Sequence, residues 1–325
     1  MHISVIIPVY NAELYLRKAV ESALIQVEVG EIILVEDNSP DNALAVCNRL
    51  VEEHSIVKLF QHPDKKNHGA GASRNLGMQM AKCDFVAFLD ADDYYLPNRF
   101  EYEKKILFND TGGIDGLYGA LGFHYYSKQQ KQRYIKDGFE DLTTVNCEID
   151  PVQLFETLLG LNGNCGHIHL DALTVRKTVF DRVGYFDVNL RLHQDTEWIL
   201  RLSAHCKLYG GSISKAVGMR GVHDENRIVS KKTEPNRNRL LLWSTVFHWC
   251  TKDKFSMKIF LKVKEYYSIE NAKHSSWFFN LMSLIAFPFI GISYKSFLFE
   301  LLVLKVFGNT LMKKMILCIR NLLYK

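Results

Sequence analysis

Phe85-Val86-Ala87-Phe88-Leu89-Asp90-Ala91-Asp92-Asp93 is an apolar run that stops abruptly in three carboxylates. A short continuous apolar run of this kind reads as a strand buried on both faces. Acidic oxygens at its tip suit a hard divalent cation, which takes oxygen ligands and bridges well to phosphate oxygens. Strand-like alternation through Asp90-Ala91-Asp92 is expected to point both carboxylates to one side, where they share an ion or its bound water. A D-x-D alone is more often a solvated turn, so the surrounding sequence decides its meaning.

Upstream, the same kind of strand recurs. Ile3–Val9 reads as a continuous apolar strand, Ser4 apart, and runs into a turn at Tyr10-Asn11. A helix over about 12–25 carries Leu16, Ala19, Val20, Ala23 and Leu24 at helical spacing. Residues 31–35 form a second buried strand that also ends in acids, Glu36-Asp37. Asn38-Ser39-Pro40-Asp41 makes a turn, a helix follows to about His54, and 57–61 is a third strand. Gly69-Ala70-Gly71-Ala72-Ser73 leads into a helix from about Arg74 to Ala81. Buried strands alternating with amphipathic helices predict an α/β fold whose mostly parallel sheet is covered on both faces. Ligands of such sheets bind beyond the carboxyl ends of the strands. Pro8-Val9-Tyr10-Asn11, Glu36-Asp37 and Asp90-Ala91-Asp92 all lie at that edge.

Downstream, 112–146 is rich in Gly, Tyr, Lys and Gln and reads as strands and loops. A short helix is expected over 151–161, a strand over 170–175 and a helix from near Lys177. His193-Gln194-Asp195-Thr196-Glu197-Trp198 opens a further helix to about His205, with Trp198 in its core.

The chain of 325 residues, 47% hydrophobic, is long enough for one or two domains. Its seven cysteines are scattered and form no C-x-x-C pair, which points to a reduced, cytoplasmic protein and away from a cysteine zinc site. No signal peptide is read at the N-terminus, where the apolar run lacks a basic leader and meets Pro8. Charge is unevenly divided. Residues 231–325 hold 16 Lys/Arg against 5 Asp/Glu, a net of +11; the whole chain is +4, which leaves −7 for residues 1–230. An acidic front does not hold nucleic acid, whose binding rests on neutralising phosphates. The tail is different: 274–294 contains no Asp, Glu, Lys or Arg, and 297–324 reads as an amphipathic helix pair with Lys305, Lys313, Lys314 and Arg320. Asn280 and Pro288 weaken the first stretch as a membrane span, so helices lying in the interface of an anionic membrane are the preferred reading.

Taken together, five stretches in order resemble the family 2 glycosyltransferases of the GT-A fold. They are Ser4-Val5-Ile6-Ile7-Pro8-Val9-Tyr10-Asn11, Leu34-Val35-Glu36-Asp37-Asn38-Ser39, Gly71-Ala72-Ser73-Arg74-Asn75-Leu76-Gly77, Phe88-Leu89-Asp90-Ala91-Asp92-Asp93 and Gly184-Tyr185-Phe186-Asp187. Gln194-Asp195 follows them, and the resemblance covers 3–230. It implies a GT-A catalytic domain over 1–230 with a Rossmann-like, mostly parallel sheet, and a basic, apolar helical tail over 236–325. It also implies a nucleotide-diphospho-sugar donor, UDP-linked, and an Mn2+ or Mg2+ cofactor. The implied donor-binding residues are Pro8, Tyr10, Asp37, Arg74, Asp90 and Asp92. Asp37 meets the uracil ring, and Arg74 presents a guanidinium fork to oxygen anions. Asp92 touches the metal, while Asp90 reaches the ribose or the metal through water. Where the family usually has two aspartates, this chain has Glu36-Asp37; where it has Glu-Asp, this chain has Gln194-Asp195. Asp195 is thereby implied as the general base of an inverting transfer. Arg220-Gly221-Val222-His223, with Ser230 beyond, resembles a late Arg-x-x-His segment and makes His223 a third metal ligand or a diphosphate contact.

The implied acceptor is a glycan or lipid-linked hydroxyl, with the protein held at the inner face of the cell membrane, as in bacterial surface-polysaccharide assembly. Two rivals stand beside this reading. A sugar nucleotidyltransferase calls for a Gly-rich loop with Arg after the first strand, where this chain has Pro8-Val9-Tyr10-Asn11. A non-catalytic sugar-binding or assembly module has no need of Asp90, Asp92 and Asp195 together.

Overall fold

The computed structural model describes residues 1–107, 110, 113–136, 142–163, 165–223 and 237–274. The chain divides into two compact units, Met1–Lys232 and Thr233–Lys325.

In the first unit, four strands lie parallel: β1 (Ile3–Val9), β2 (Val29–Glu36), β3 (Val57–Gln61) and β4 (Phe85–Phe88). Three more, β6 (Gly116–Tyr118), β8 (Leu173–Arg176) and β9 (Leu208–Gly210), complete a seven-stranded sheet of order β3-β2-β1-β4-β8-β6-β9. Only β8 runs antiparallel to its neighbours. A second sheet of three strands joins β5 (Tyr94–Tyr95), β10 (Ala216–Val222) and β7 (Ala120–Tyr125).

Alternation along β1 shows why its apolar run is continuous. Val5 and Ile7 enter one core with Leu16, Ala19, Val20 and Ala23 of α1 (Leu16–Leu24) and with Val46, Cys47 and Leu50 of α2 (Ala43–Glu53). Ile6, facing the other way, joins a second core with Met78 of α3 (Ala70–Met80) and with Trp198 and Leu202 of α8 (Gln194–His205). A strand with two buried faces keeps a polar side chain only where it is paired, as Ser4 is, donating Oγ to Glu31 Oε1 at 2.7 Å. Helix α3 lies so close to β1 that a Cβ on Gly77 would collide with Ile6 Cγ2, so only glycine fits there.

Register puts the functional ends together. Val9 is opposite Glu36, and Ile6 is opposite Phe88, so the chain leaves β1, β2 and β4 at one edge of the sheet. The remaining helices are α4 (Glu101–Leu107), α5 (Lys128–Lys136), α6 (Pro151–Leu158) and α7 (Val179–Val183). The sequence reading of 112–146 as strands and loops missed α5, whose KQQKQRYIK sequence has hardly any apolar stripe to announce it.

In the second unit, α9 (Arg237–Lys252) packs on α10 (Met257–His274). Trp243 stacks on Tyr266 at 4.2 Å, Phe247 on Tyr267 at 5.3 Å, and Arg239 pairs with Glu270 at 3.2 Å. Among the described residues, no helix is long and apolar enough to cross a membrane. Ser230, the apolar stretch beyond residue 274 and the basic pair over 297–324 lie outside the described residues.

Candidate active site

The carboxyl edge of the sheet carries the first part of the site. Pro8 is paired with Val35, and Tyr10 stands 40% exposed just past β1. The turn after it has Asn11 in left-handed backbone (φ 53°), with its N–H donating to Ser39 Oγ at 3.3 Å. Asp37 sits beside it, its own N–H bonded to the Val9 carbonyl. The Asp37 carboxylate is 2% exposed and accepts from His68 N (2.7 Å), Gly69 N (2.7 Å) and Asn67 Nδ2 (2.9 Å). A carboxylate offers about four acceptor sites, so three are taken by the loop that leads into α3. Glu36 is likewise engaged, accepting from Ser39 N and Gln61 Nε2.

Helix α3 begins at Ala70, earlier than the sequence suggests, because Gly69 in left-handed backbone (φ 88°) opens it and small residues fill its first turn. Arg74 therefore lies in the second turn, not at the N-terminus. It is 5% exposed, and its Nη2 meets Asp90 Oδ1 at 2.5 Å. With the Gln194 amide oriented to donate to the Leu190 carbonyl at 2.7 Å, its oxygen accepts from Arg74 Nη1 at 3.3 Å. Arg74 Nε is a buried donor without a partner among the described residues. Burial opposes the charge on Arg74, yet Asp90 and then Asp195 outweigh it and raise its pKa. Next along the helix, Asn75 exchanges two hydrogen bonds with the Phe186 backbone, and Trp198 Nε1 donates to the Gly184 carbonyl at 3.0 Å. The Arg74-Asn75 and Gly184–Asp187 segments thus meet in space although 111 residues apart.

Strand β4 stops at Phe88, and the acids occupy a turn closed by Asp93 N donating to the Asp90 carbonyl at 3.0 Å. The expected strand-like alternation therefore does not apply: the turn, and not the pleat, aims the carboxylates. One oxygen from each of Asp90, Asp92 and Asp93 can lie within 4.8 Å of the others. Their environments differ sharply. Asp92 is about a third exposed, with Oδ2 at 3.0 Å from His223 Nε2. Asp90 is also about a third exposed; burial opposes its charge, but Arg74 and then His169 hold its carboxyl below the usual range. Asp93 is buried, accepts from Gly221 N at 2.8 Å, and is pushed well up by burial and by Asp171. Asp93 thus faces inward and braces the turn against β10 through Gly221. Asp92, His223 and Asp90 present the oxygen and imidazole donors that suit Mn2+ or Mg2+.

Behind this turn sits an acid that the sequence reading passed over. Asp171, 1% exposed in a 3-10 turn before β8, accepts from Asp90 N at 3.1 Å. Burial first, and then the charge of Asp90, raise its pKa to about 7. Buried Arg99 donates Nε to the Asp171 carbonyl at 3.0 Å, and its other nitrogens reach Glu103 and Thr174. A lone acid inside Leu170-Asp171-Ala172-Leu173 was the available signal.

Asp195 lies in the first turn of α8, where its Oδ1 accepts from Thr196 N at 2.8 Å. The helix is entered through His193 in left-handed backbone (φ 64°), and Gln194 fits because Gly71 opposite has no side chain; a Cβ there would come within 2.9 Å of the Gln194 side-chain amide. The charge of Asp195 acts on Arg74, His167 and His169. Burial and then Arg220 push His167 down and hold His169 down at about 4. Imidazoles held below their ordinary range thus lie within the electrostatic reach of Asp195, and a neutral imidazole can donate to or accept from a hydroxyl. The site thus gathers Asp90, Asp92, Arg74, Asp195 and His223 around one turn, while Asp37 and Tyr10 lie along the same sheet edge.

The family model described as "Glycosyl transferase family 2" matches residues 4–184. An uncharacterized glycosyltransferase of Rickettsia felis is 29% identical over 255 residues, 78% of this chain and 39% of that protein. The minor teichoic acid biosynthesis protein GgaB of Bacillus subtilis is 25% identical over 210 residues, 64% of this chain and 21% of GgaB. The chain thus spans well under two thirds of these curated relatives. Among solved structures, S. aureus TarS in complex with UDP-GlcNAc superposes with a TM-score of 0.58 at 18% identity, over 93% of this chain and 79% of that one. At that identity the likeness concerns the fold, which is the mostly parallel GT-A architecture.

Proposed function

The chain belongs to glycosyl transferase family 2, and on that premise we propose that it transfers a sugar from a UDP-linked donor to a hydroxyl of a glycan or lipid-linked acceptor, with inversion. The observation that carries this reading is the pairing of buried Arg74 with Asp90 on the turn that also carries Asp92, with the charge of Asp195, in the first turn of α8, acting on Arg74. The donor class draws support from TarS, a fold neighbour crystallised with UDP-GlcNAc, and the acceptor class from GgaB, a relative named for teichoic acid biosynthesis. Residues 1–230 are the proposed catalytic domain, and 236–325 the proposed tail that holds it on an anionic membrane surface.

In the proposed reaction the acceptor hydroxyl gives its proton to Asp195 while its oxygen bonds to the anomeric carbon. The bond from that carbon to the diphosphate oxygen breaks in the same displacement, and the nucleoside diphosphate leaves from the opposite face. One displacement inverts the anomeric centre; no second carboxylate is assigned as a nucleophile. Arg74 offers cationic donors to the diphosphate and keeps Asp90 ionised and oriented. Asp92, His223 and Asp90 would hold a Mn2+ or Mg2+, which would supply positive charge to the departing diphosphate. Asp37 and Tyr10 hold the uracil end.

The test compares the parent chain with Asp195→Asn for UDP release from a panel of UDP-sugars, with extracted cell-envelope glycolipids as acceptor. The variant is expected to bind UDP as the parent does and to lose acceptor-dependent release. Normal release by Asp195→Asn would remove Asp195 from the role of base.

A further inference from the structure

His223 stands immediately after β10, and its backbone approach is fixed by the strand. Gly221 N donates to Asp93 Oδ1 at 2.8 Å, and a Cβ on Gly221 would collide with the Asp92 carbonyl oxygen. The main chain therefore brings His223 to the acidic turn but does not set the plane of its ring. Rotation about the imidazole's χ2 is broad, and the Nε2–Asp92 contact at 3.0 Å fixes one point on the ring. Tyr15 lies against the face of the imidazole, its ring stacked with centroids 4.5 Å apart and an interplanar angle of 24°. Tyr126 meets both rings edge-on, His223 at 6.1 Å and Tyr15 at 5.4 Å.

Tyr15 is itself held by the turn that leads from the uracil end. Its N–H donates to the Ala12 carbonyl at 3.0 Å, and the same turn is tied through Asn11 N to Ser39 Oγ. A metal-binding imidazole must present its nitrogen lone pair in the ring plane, so whatever orients the ring governs affinity. We propose that Tyr15 is a positioning residue that holds the His223 ring in the plane required for divalent-cation binding at Asp92, tying the metal end of the site to the turn that carries Tyr10. This rests on the reading of His223 as a metal ligand.

The test is Mn2+ titration of the full chain with saturating UDP, following the free-ion electron paramagnetic resonance signal, on the parent, Tyr15→Phe, Tyr15→Leu, Tyr15→Ala and His223→Ala. Tyr15→Phe keeps the stack and should bind Mn2+ as the parent does. Tyr15→Leu and Tyr15→Ala should each weaken Mn2+ binding about three- to tenfold, the range set by one aromatic stack. Tyr15→Leu retains bulk and serves if the alanine variant does not fold. UDP binding in EDTA, read by calorimetry, should be the same in all Tyr15 variants; a parallel loss there would mean that Tyr15 only props up the turn, and would overturn the proposal. Unaltered Mn2+ affinity in Tyr15→Leu, beside a loss in His223→Ala, would also overturn it. If His223→Ala itself binds Mn2+ like the parent, the ligand reading of His223 fails and the proposal falls with it.

Discussion

Replacing Asp171 with asparagine should make the protein more stable at alkaline pH. Asp171 is 1% exposed, and burial together with the nearby Asp90 charge raises its pKa to about 7, against an ordinary carboxyl near 4. The sign follows from proton binding: between those two values the folded chain holds a proton that the unfolded chain has released. Stability is therefore greatest below about pH 4, falls as pH rises through the window to about 7, and is flat above it. The span of about three pH units at ~1.36 kcal/mol each gives an upper bound of about 4 kcal/mol, shared with Asp93 next to it. Asparagine can still accept from Asp90 N and carries no titrating proton. Urea midpoints of the metal-free parent and Asp171→Asn should nearly coincide at pH 4.5 and separate by pH 8 in favour of the variant. Taking the difference between the two proteins cancels the histidines that titrate in the same range. A difference that stays constant from pH 4.5 to 8 would refute the claim that burial keeps this acid protonated.

Other expectations follow from the packing and the site. Gly77→Ala should cost about 1–3 kcal/mol by driving α3 off β1, and adding Ile6→Val should recover part of it in the same urea assay. Asp92→Ala should abolish the metal dependence of UDP binding, and unchanged dependence in calorimetry would take Asp92 out of the metal site. Deleting the chain beyond residue 236 should abolish sedimentation with anionic liposomes; equal sedimentation with and without the tail would dismiss the membrane role.

Much of the fold can be read from the sequence because β1, β2 and β4 are buried on both faces and are mostly apolar, with the buried Ser4 and Glu31 paired to each other. The acidic ends of β2 and β4 stand out for the same reason. Legibility ends where a residue's role depends on a distant neighbour. Asp171 looks like an irregularity in a strand until Asp90, 81 residues earlier, is seen to donate to it. The stack of Tyr15 on His223 joins chain positions that share no local pattern. Helix α5 escaped because a polar surface helix lacks the periodicity by which helices are recognised. The acidic turn was misread as pleated because composition does not reveal where a strand's last ladder bond falls. Arg74 reads as the start of its helix because the Gly-Ala-Gly-Ala run reads as loop, while in the structure Gly69 with positive φ begins the helix.

The most direct test of the account is calorimetric binding of UDP, GDP, CDP and dTDP to the purified chain, first with Mn2+ and then with EDTA. The account predicts that UDP binds most tightly of the four and that EDTA weakens it severely. Failure of the folded protein to bind any of the four nucleotides, or UDP binding indifferent to EDTA, would contradict it.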